Sequence, residues 1–230
     1  MDPDLIPKIR IGRRSPPTMN AEPHSATVLF VDLRGYTGIA ERFPAPRVAR
    51  LLEELCGVLG LAIEEHRGKI YHIAGDGLMA GFGLRAAAHE GASEALAAGR
   101  QMLLQFTPIA TRWREELKID TGIGIGIHLG EVALGLLGPS GHKKATLVGD
   151  TVNVAARLCN RARAGEVLFS DAVAAAIGAA GTAGAEIAFV QLPQFELRGR
   201  SDPLDIWCVP ALARGAPDPI LSPSAPHSGT

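Results

Sequence analysis

The chain has 230 residues, 23 Lys and Arg against 24 Asp and Glu, and a formal net charge of -1. That length suggests one or two domains and suffices for a sizeable core. A hydrophobic share of 47% with 20% charged residues argues against disorder, and the near-neutral balance argues against a general nucleic-acid binder, which needs a basic excess to offset phosphate.

Three cysteines, Cys56, Cys159 and Cys208, are odd in number and far apart, which excludes a disulfide framework and shows no zinc-knuckle spacing. A reduced, cytoplasmic compartment is the simplest reading. No segment holds the roughly 18 consecutive apolar residues of a membrane helix, and the N-terminus begins acidic without an apolar signal core. A soluble protein with no membrane segment of its own is the expectation.

Residues 1–24 are Pro-rich without periodicity and read as a flexible leader; residues 211–230 read as a disordered tail. One folded domain is expected between them, over 25–210. The stretch 26–32, A-T-V-L-F-V-D, predicts a buried strand ending in a carboxylate. Pro44 and Pro46 stand where a first helical turn accepts proline. Val48, Leu51, Leu52, Leu55, Val58, Leu59, Ala62 and Ile63 then follow at i, i+3, i+4 spacing, and Gly68 ends the helix.

Two short apolar strands, 69–74 and 78–82, flank a G-D-G turn, a hairpin pattern. An Ala-rich helix is predicted over 86–106. Residues 118–136 read as a strand in which Gly122, Gly124 and Gly126 alternate with Ile123, Ile125 and Ile127; such a glycine-lined face lets another element come unusually close. A strand at 147–149, a helix over 151–162 with Asp150 or Thr151 as its N-cap, and short strands near Val167, Phe189, Phe195 and Ile206 complete the domain. Strands alternating with amphipathic helices indicate an α/β or α+β fold, helices packed on a sheet.

Two carboxylates stand out. Asp32 closes an apolar strand and Asp76 sits at the tip of a tight hairpin. Alone, each is most simply a turn former. Asp32, however, is followed by L-R-G-Y-T, where Gly35 permits a sharp turn whose backbone N–H groups can hold an anion. Were the two strands neighbours, two carboxylates would converge beside a phosphate-sized cradle, which is how Mg²⁺ is usually held. On the helix G-D-T-V-N-V-A-A-R-L, Asn153 and Arg157 are spaced i, i+4 and share a face. They read either as a solvated surface pair or as an amide that orients a sugar and a guanidinium that stabilises phosphoryl charge. No P-loop, Rossmann glycine fingerprint, zincin histidine pair or nucleophile elbow is present.

Five segments in order, F-V-D-L-R-G-Y-T at 30–37, I-A-G-D-G-L-M-A-G-F-G at 73–83, I-G-I-H-L-G-E-V-A-L-G-L-L-G at 125–138, L-V-G-D-T-V-N-V-A-A-R-L at 147–158 and F-E-L-R-G at 195–199, resemble the catalytic domain of the class III nucleotide cyclases (adenylate and guanylate cyclases) of bacterial type. The resemblance implies an α+β fold with a ferredoxin-like, palm-type βαββαβ core, acting as a head-to-tail homodimer with two active sites at the interface. Asp32 and Asp76 match the two metal-binding aspartates, with the Leu33 carbonyl as a further ligand to two Mg²⁺ or Mn²⁺ ions. Gly35, Tyr36 and Thr37 match the triphosphate loop. Asn153 and Arg157, from the opposite chain, match the ribose-orienting and transition-state residues. Arg198 stands where a triphosphate-binding Lys is usual, and Thr146 occupies one base-reading position.

The other base-reading position is His72, where adenylate cyclases of the family usually carry Lys. His donates to adenine N1 only in the right tautomer or when protonated, and it could equally donate to guanine O6. The implied reaction is conversion of ATP to 3′,5′-cyclic AMP and pyrophosphate, with GTP as the alternative substrate. A degenerate cyclase fold serving as a nucleotide-binding or dimerisation module is a third reading, and a diguanylate cyclase is disfavoured because A-G-D-G does not match its turn.

Overall fold

The computed structural model describes residues 23–84, 86–179, 189–195 and 203–209. In chain order the elements are β1 (Pro23–Leu33), α1 (Tyr36–Arg42), α2 (Ala45–Glu65), β2 (Lys69–Ala74), β3 (Gly77–Phe82), α3 (Ala88–Leu117), β4 (Ile123–Leu137), β5 (Lys144–Val148), α4 (Asp150–Arg161), β6 (Val167–Ser170), α5 (Asp171–Ala179), β7 (Val190–Phe195) and β8 (Leu204–Val209). Among the described residues eight strands form one sheet in the order β2-β3-β1-β4-β6-β8-β7, with β5 folded against β4. The β4–β6 pair is parallel; the other described pairs are antiparallel.

β1 lies inside the sheet because it is apolar on both faces. Leu29, Val31 and Leu33 join the core under α2, α3 and α5. Ala26 and Val28 point the other way, into a smaller cluster with Ala155 of α4. Asp32 is in phase with Val28 and therefore belongs to the α4 face.

The α2 stripe is as expected, with Val48, Leu51, Leu55, Leu59, Ala62 and Ile63 buried and Leu52 and Val58 half-buried. Its ending differs in detail. Arg67, not Gly68, adopts the left-handed conformation, at φ 58°. Gly68 is instead pressed against the Phe82 ring, which leaves no room for a Cβ.

α3 runs to Leu117, well past the expected end at 106, with Pro108 inside it. Proline removes one helical hydrogen bond and costs about 3 kcal/mol in a helix interior. The helix continues because its far end is anchored. Trp113 is 1% exposed, packs edge-on against Phe106 at 5.6 Å between ring centroids, and donates from Nε1 to Glu54 Oε2 of α2 at 3.0 Å. Truncating a buried aromatic of this size costs about 3–5 kcal/mol, enough to outweigh the proline.

Three further expectations shift. Residues 118–122 precede β4 rather than belonging to it. The N-cap of α4 is Gly149, at φ 148°, and neither Asp150 nor Thr151 caps it. The Thr151 hydroxyl donates across to the Glu131 carbonyl of β4 at 2.6 Å, so it ties helix to sheet instead of closing its own turn. The strands expected separately near Phe189 and Phe195 are one strand, β7, with the Phe189 ring edge-on to Phe169 and Trp207. Among the described residues no helix is long and apolar enough to cross a membrane. Leader residues 1–22 and tail residues 211–230 lie outside the described residues, while Pro23 and His24 belong to β1.

Candidate active site

The two aspartates meet because their strands are neighbours. β1 and β3 pair antiparallel with Asp32 opposite Gly77, and the Leu33 N–H donates to the Asp76 carbonyl at 3.2 Å. The β2–β3 turn, with Gly75 at φ 58°, thus lies against the end of β1. Burial pushes the Asp32 carboxyl up from its ordinary value, the nearby Asp76 pushes it further, and the Arg34 guanidinium opposes both. A carboxylate raised by burial and by a neighbouring carboxylate is the kind of donor a hard cation relieves. Among the described residues no cluster of three or more His, Cys, Asp and Glu side chains forms. A cation here would therefore draw its remaining oxygens from backbone carbonyls and from phosphate, which suits Mg²⁺ or Mn²⁺. The Leu33 side chain is buried in the core, so the group it can offer is its carbonyl.

The turn after Asp32 is shaped by Gly35, at φ 77°, which leads straight into α1. Tyr36 is half-buried against the core and Thr37 is exposed. The N–H groups of this first turn have no acceptor within the helix and remain available to an anion.

A cavity of about 210 Å³ opens beside Asp32. His72 lines it from β2, Met79 and Leu78 from β3, Phe30 from β1, and Ala156, Cys159 and Asn160 from α4. His72 pairs with Met79 just after an irregularity in the β2–β3 ladder and is exposed. Asn153 and Arg157 are on the same helix but do not line this cavity; Asn153 is exposed and Arg157 half-buried. Thr146 pairs with Gly135 on the β4–β5 arm, also away from the cavity. Arg198 lies outside the described residues. One chain therefore brings together Asp32, Asp76 and His72, and holds Asn153, Arg157 and Thr146 elsewhere.

The glycine face of β4 explains how α4 is set. Gly126 lies directly beneath the helix, where a Cβ would overlap the Cys159 amide and the Ala155 carbonyl. At Gly130 a Cβ would meet Thr151 Oγ1 at 2.6 Å. Gly124 is covered by the Arg34 side chain instead. Arg34 Nη1 donates to Asp32 Oδ2 at 2.7 Å, and Nη2 donates to the Cys159 carbonyl at 2.5 Å. Arg34 is a site residue that no motif in the sequence marks. Its signal was there: two residues beyond Asp32, it shares that residue's side of the strand and faces a run of glycines. A second, wider cleft of about 500 Å³ lies on the other side of Arg34, between the end of α3 and the start of β4. It does not include Asp32 or His72.

The family model for the adenylate and guanylate cyclase catalytic domain matches residues 19–209. The chain is 31% identical over 164 residues to an adenylate cyclase of Anabaena cylindrica, a match covering 68% of this chain and 30% of that protein. The adenylyl cyclase CyaB from P. aeruginosa shares the fold with a TM-score of 0.77 at 26% identity, over 86% of this chain and 100% of that one. The guanylyl cyclase Cya2 does so with a TM-score of 0.73, also at 26% identity, over 86% of this chain and 97% of that one. The matched stretch spans 30% of the Anabaena protein and 27% of a Mycobacterium bovis relative that is 33% identical over 152 residues, so the chain spans under a third of the length of the curated relatives it matches.

Proposed function

The chain belongs to the class III nucleotide cyclases, the adenylate and guanylate cyclase catalytic domains, and from that premise we propose that it is an adenylate cyclase, converting ATP to 3′,5′-cyclic AMP and pyrophosphate in a head-to-tail homodimer. The carrying observation is the division of the site. Asp32 and His72 line one cavity, with the turn that carries Asp76 held against the end of β1, while Asn153 and Arg157 lie off that cavity on α4. A second copy, placed head to tail, supplies the missing pair. The exposed Leu136, Leu137 and Val148 of the β4–β5 arm favour such an association, since apolar surface of this kind is normally covered.

In this reading Asp32, Asp76 and the Leu33 carbonyl hold two divalent cations. When bound, these neutralise triphosphate charge and acidify the ribose 3′-hydroxyl. The amides of Gly35, Tyr36 and Thr37 bind the phosphates, together with Arg198. The partner's Asn153 fixes the ribose for in-line attack of its 3′-oxygen on the α-phosphorus, and the partner's Arg157 stabilises the phosphoryl charge as pyrophosphate leaves. His72 and Thr146 read the base. Adenine is favoured by the likeness to the Anabaena enzyme and to CyaB; the comparable likeness to Cya2 keeps guanine as the second reading.

Incubating the purified protein with Mn²⁺ and equal ATP and GTP, then identifying products by mass spectrometry, tests the reading. Cyclic AMP as the main product is expected. Mainly cyclic GMP reverses the base assignment and keeps the chemistry. Neither product, from protein shown to dimerise and bind nucleotide, makes the chain a binding module. His72→Lys should strengthen ATP preference, since an ammonium donates to adenine N1 without needing a particular tautomer.

A further inference from the structure

We propose that Arg34 is a positioning residue that couples two catalytic groups belonging to different active sites. On one side it holds Asp32 of its own site; on the other it holds α4, whose Asn153 and Arg157 serve the neighbouring site. The inference rests on the two-chain reading above.

The geometry leaves Arg34 little freedom. Its N–H donates to the Gly122 carbonyl at 2.8 Å, and its own carbonyl accepts from Thr121 Oγ1 at 2.5 Å. The side chain then runs through the slot left by the absent Cβ of Gly124. The guanidinium spends one nitrogen on each partner: Nη1 on Asp32 Oδ2 and Nη2 on the Cys159 carbonyl, with Cys159 Sγ 3.7 Å from Nη2. Cys159 Sγ in turn donates to the Gly124 carbonyl at 3.3 Å, closing the junction of β1, β4 and α4.

Both contacts have a chemical purpose. Cys159 is in the last turn of α4; its carbonyl accepts from the Ala162 N–H at 3.0 Å and has a second lone pair for Arg34, whose cation offsets the negative end of the helix dipole. Asp32 loses one oxygen to Arg34 and keeps Oδ1, on the side of Gly77, for a cation. A rotation of Asp32 therefore pulls on the helix that carries Arg157, and a shift of that helix turns the carboxylate. Lysine cannot substitute fully, since a single ammonium has no fork with which to span two fixed acceptors.

Mixed dimers isolate the two arms. A chain with Arg157→Ala is paired with a chain carrying Asp32→Ala, so that one intact site remains. Adding Arg34→Met to the first chain disturbs only the carboxylate of the working site; the expected result is an about tenfold higher Mn²⁺ requirement with little change in kcat. Adding it to the second chain disturbs only the helix of that site; the expected result is an about tenfold lower kcat with the Mn²⁺ requirement unchanged. Arg34→Lys should rescue no more than one of the two effects. Independently of turnover, backbone hydrogen exchange over residues 158–162 of the metal-free protein should quicken about tenfold in Arg34→Met, with α2 unchanged.

An effect in only one placement, the same kinetic change in both, or unaltered exchange overturns the coupling. Failure of the parent pair to regain activity refutes the head-to-tail arrangement instead, and the exchange measurement then decides the bridge on its own.

Discussion

Gly126 of β4 and Cys159 of α4 are in backbone-to-backbone contact: a Cβ at 126 would lie 2.7 Å from the Cys159 Cα and overlap its amide nitrogen. The neighbouring atoms are main chain on both sides, so nothing can rotate away. Gly126→Ala must lift the helix, at an expected cost of about 3 kcal/mol, or roughly 6–12 °C in Tm for a domain of this size. Cyclase activity should fall further than stability, because the displaced helix is the one that presents Arg157. Gly57→Ala is the matched control. Nothing lies within 4 Å of a Cβ there, on the exposed side of α2, and the change should stabilise by about 0.5–1 kcal/mol. Thermal melts of both variants check this.

Asp76→Asn should make the metal-free protein more stable at neutral pH and, under the proposed function, abolish turnover. Folding raises the Asp32 carboxyl above its ordinary value of 3.8, through burial and through Asp76. Between that value and the raised one the folded chain binds more protons than the unfolded chain. Stability therefore falls as pH rises through this window and stays lowered above it. Removing the Asp76 charge relieves part of that loss. A Tm gain of about 1–3 °C is expected at pH 7 in chelator, shrinking toward pH 4, where Asp32 is increasingly protonated. Added Mn²⁺ should raise the Tm of the parent protein and not that of the variant. Equal responses of the two proteins to Mn²⁺ would contradict the cation role of Asp76.

Arg157→Ala should lower kcat by about 10²–10³ with the fold intact, since in the proposed function it is the donor to charge that develops in the transition state. Asp32→Ala should abolish turnover with either Mg²⁺ or Mn²⁺. Steady-state kinetics on each variant, with Tm as the folding control, test the pair; substantial turnover by Asp32→Ala refutes the metal assignment.

The three thiols should differ in reactivity. Burial pushes Cys159 and Cys208 up to about 11, and burial also raises Cys56, which is only half-buried. At pH 8 a thiol at that value is roughly one part in a thousand thiolate, against about a quarter for an unperturbed one. Iodoacetamide at pH 8 should modify Cys56 first and leave Cys159 protected, as read by peptide mass spectrometry. Early modification of Cys159 would mean that α4 leaves the sheet far more readily than its packing implies.

Local patterns carried most of the architecture into the sequence. The α2 stripe, the G-D-G hairpin and the glycine–isoleucine alternation of β4 each depend on neighbours in the chain, and each is found in place. The continuation of α3 past Pro108 was hidden, because the Trp113–Glu54 contact that sustains it spans 59 residues. Thr151 looked like a cap because Ser and Thr usually serve that way, and the competing acceptor on β4 is visible only in three dimensions. In the candidate site, the adjacency of Asp32 and Asp76 was conditional on strand pairing, which the structure supplies. Arg34 carries no motif of its own. Its two partners, Asp32 at i−2 and Cys159 at i+125, become a pair only after α4 docks.

The strand β7 carries a proline, Pro193, in its middle. β7 is the outermost of the described strands at one rim of the sheet, where the ladder to β8 breaks register between Leu192 and Phe195. Proline has no N–H to give, and the break removes the even spacing that an incoming strand would need. At the middle of this rim the sheet cannot serve as a template for further strands. Crowded copies of the chain are thereby discouraged from stacking rim to rim into extended fibrils.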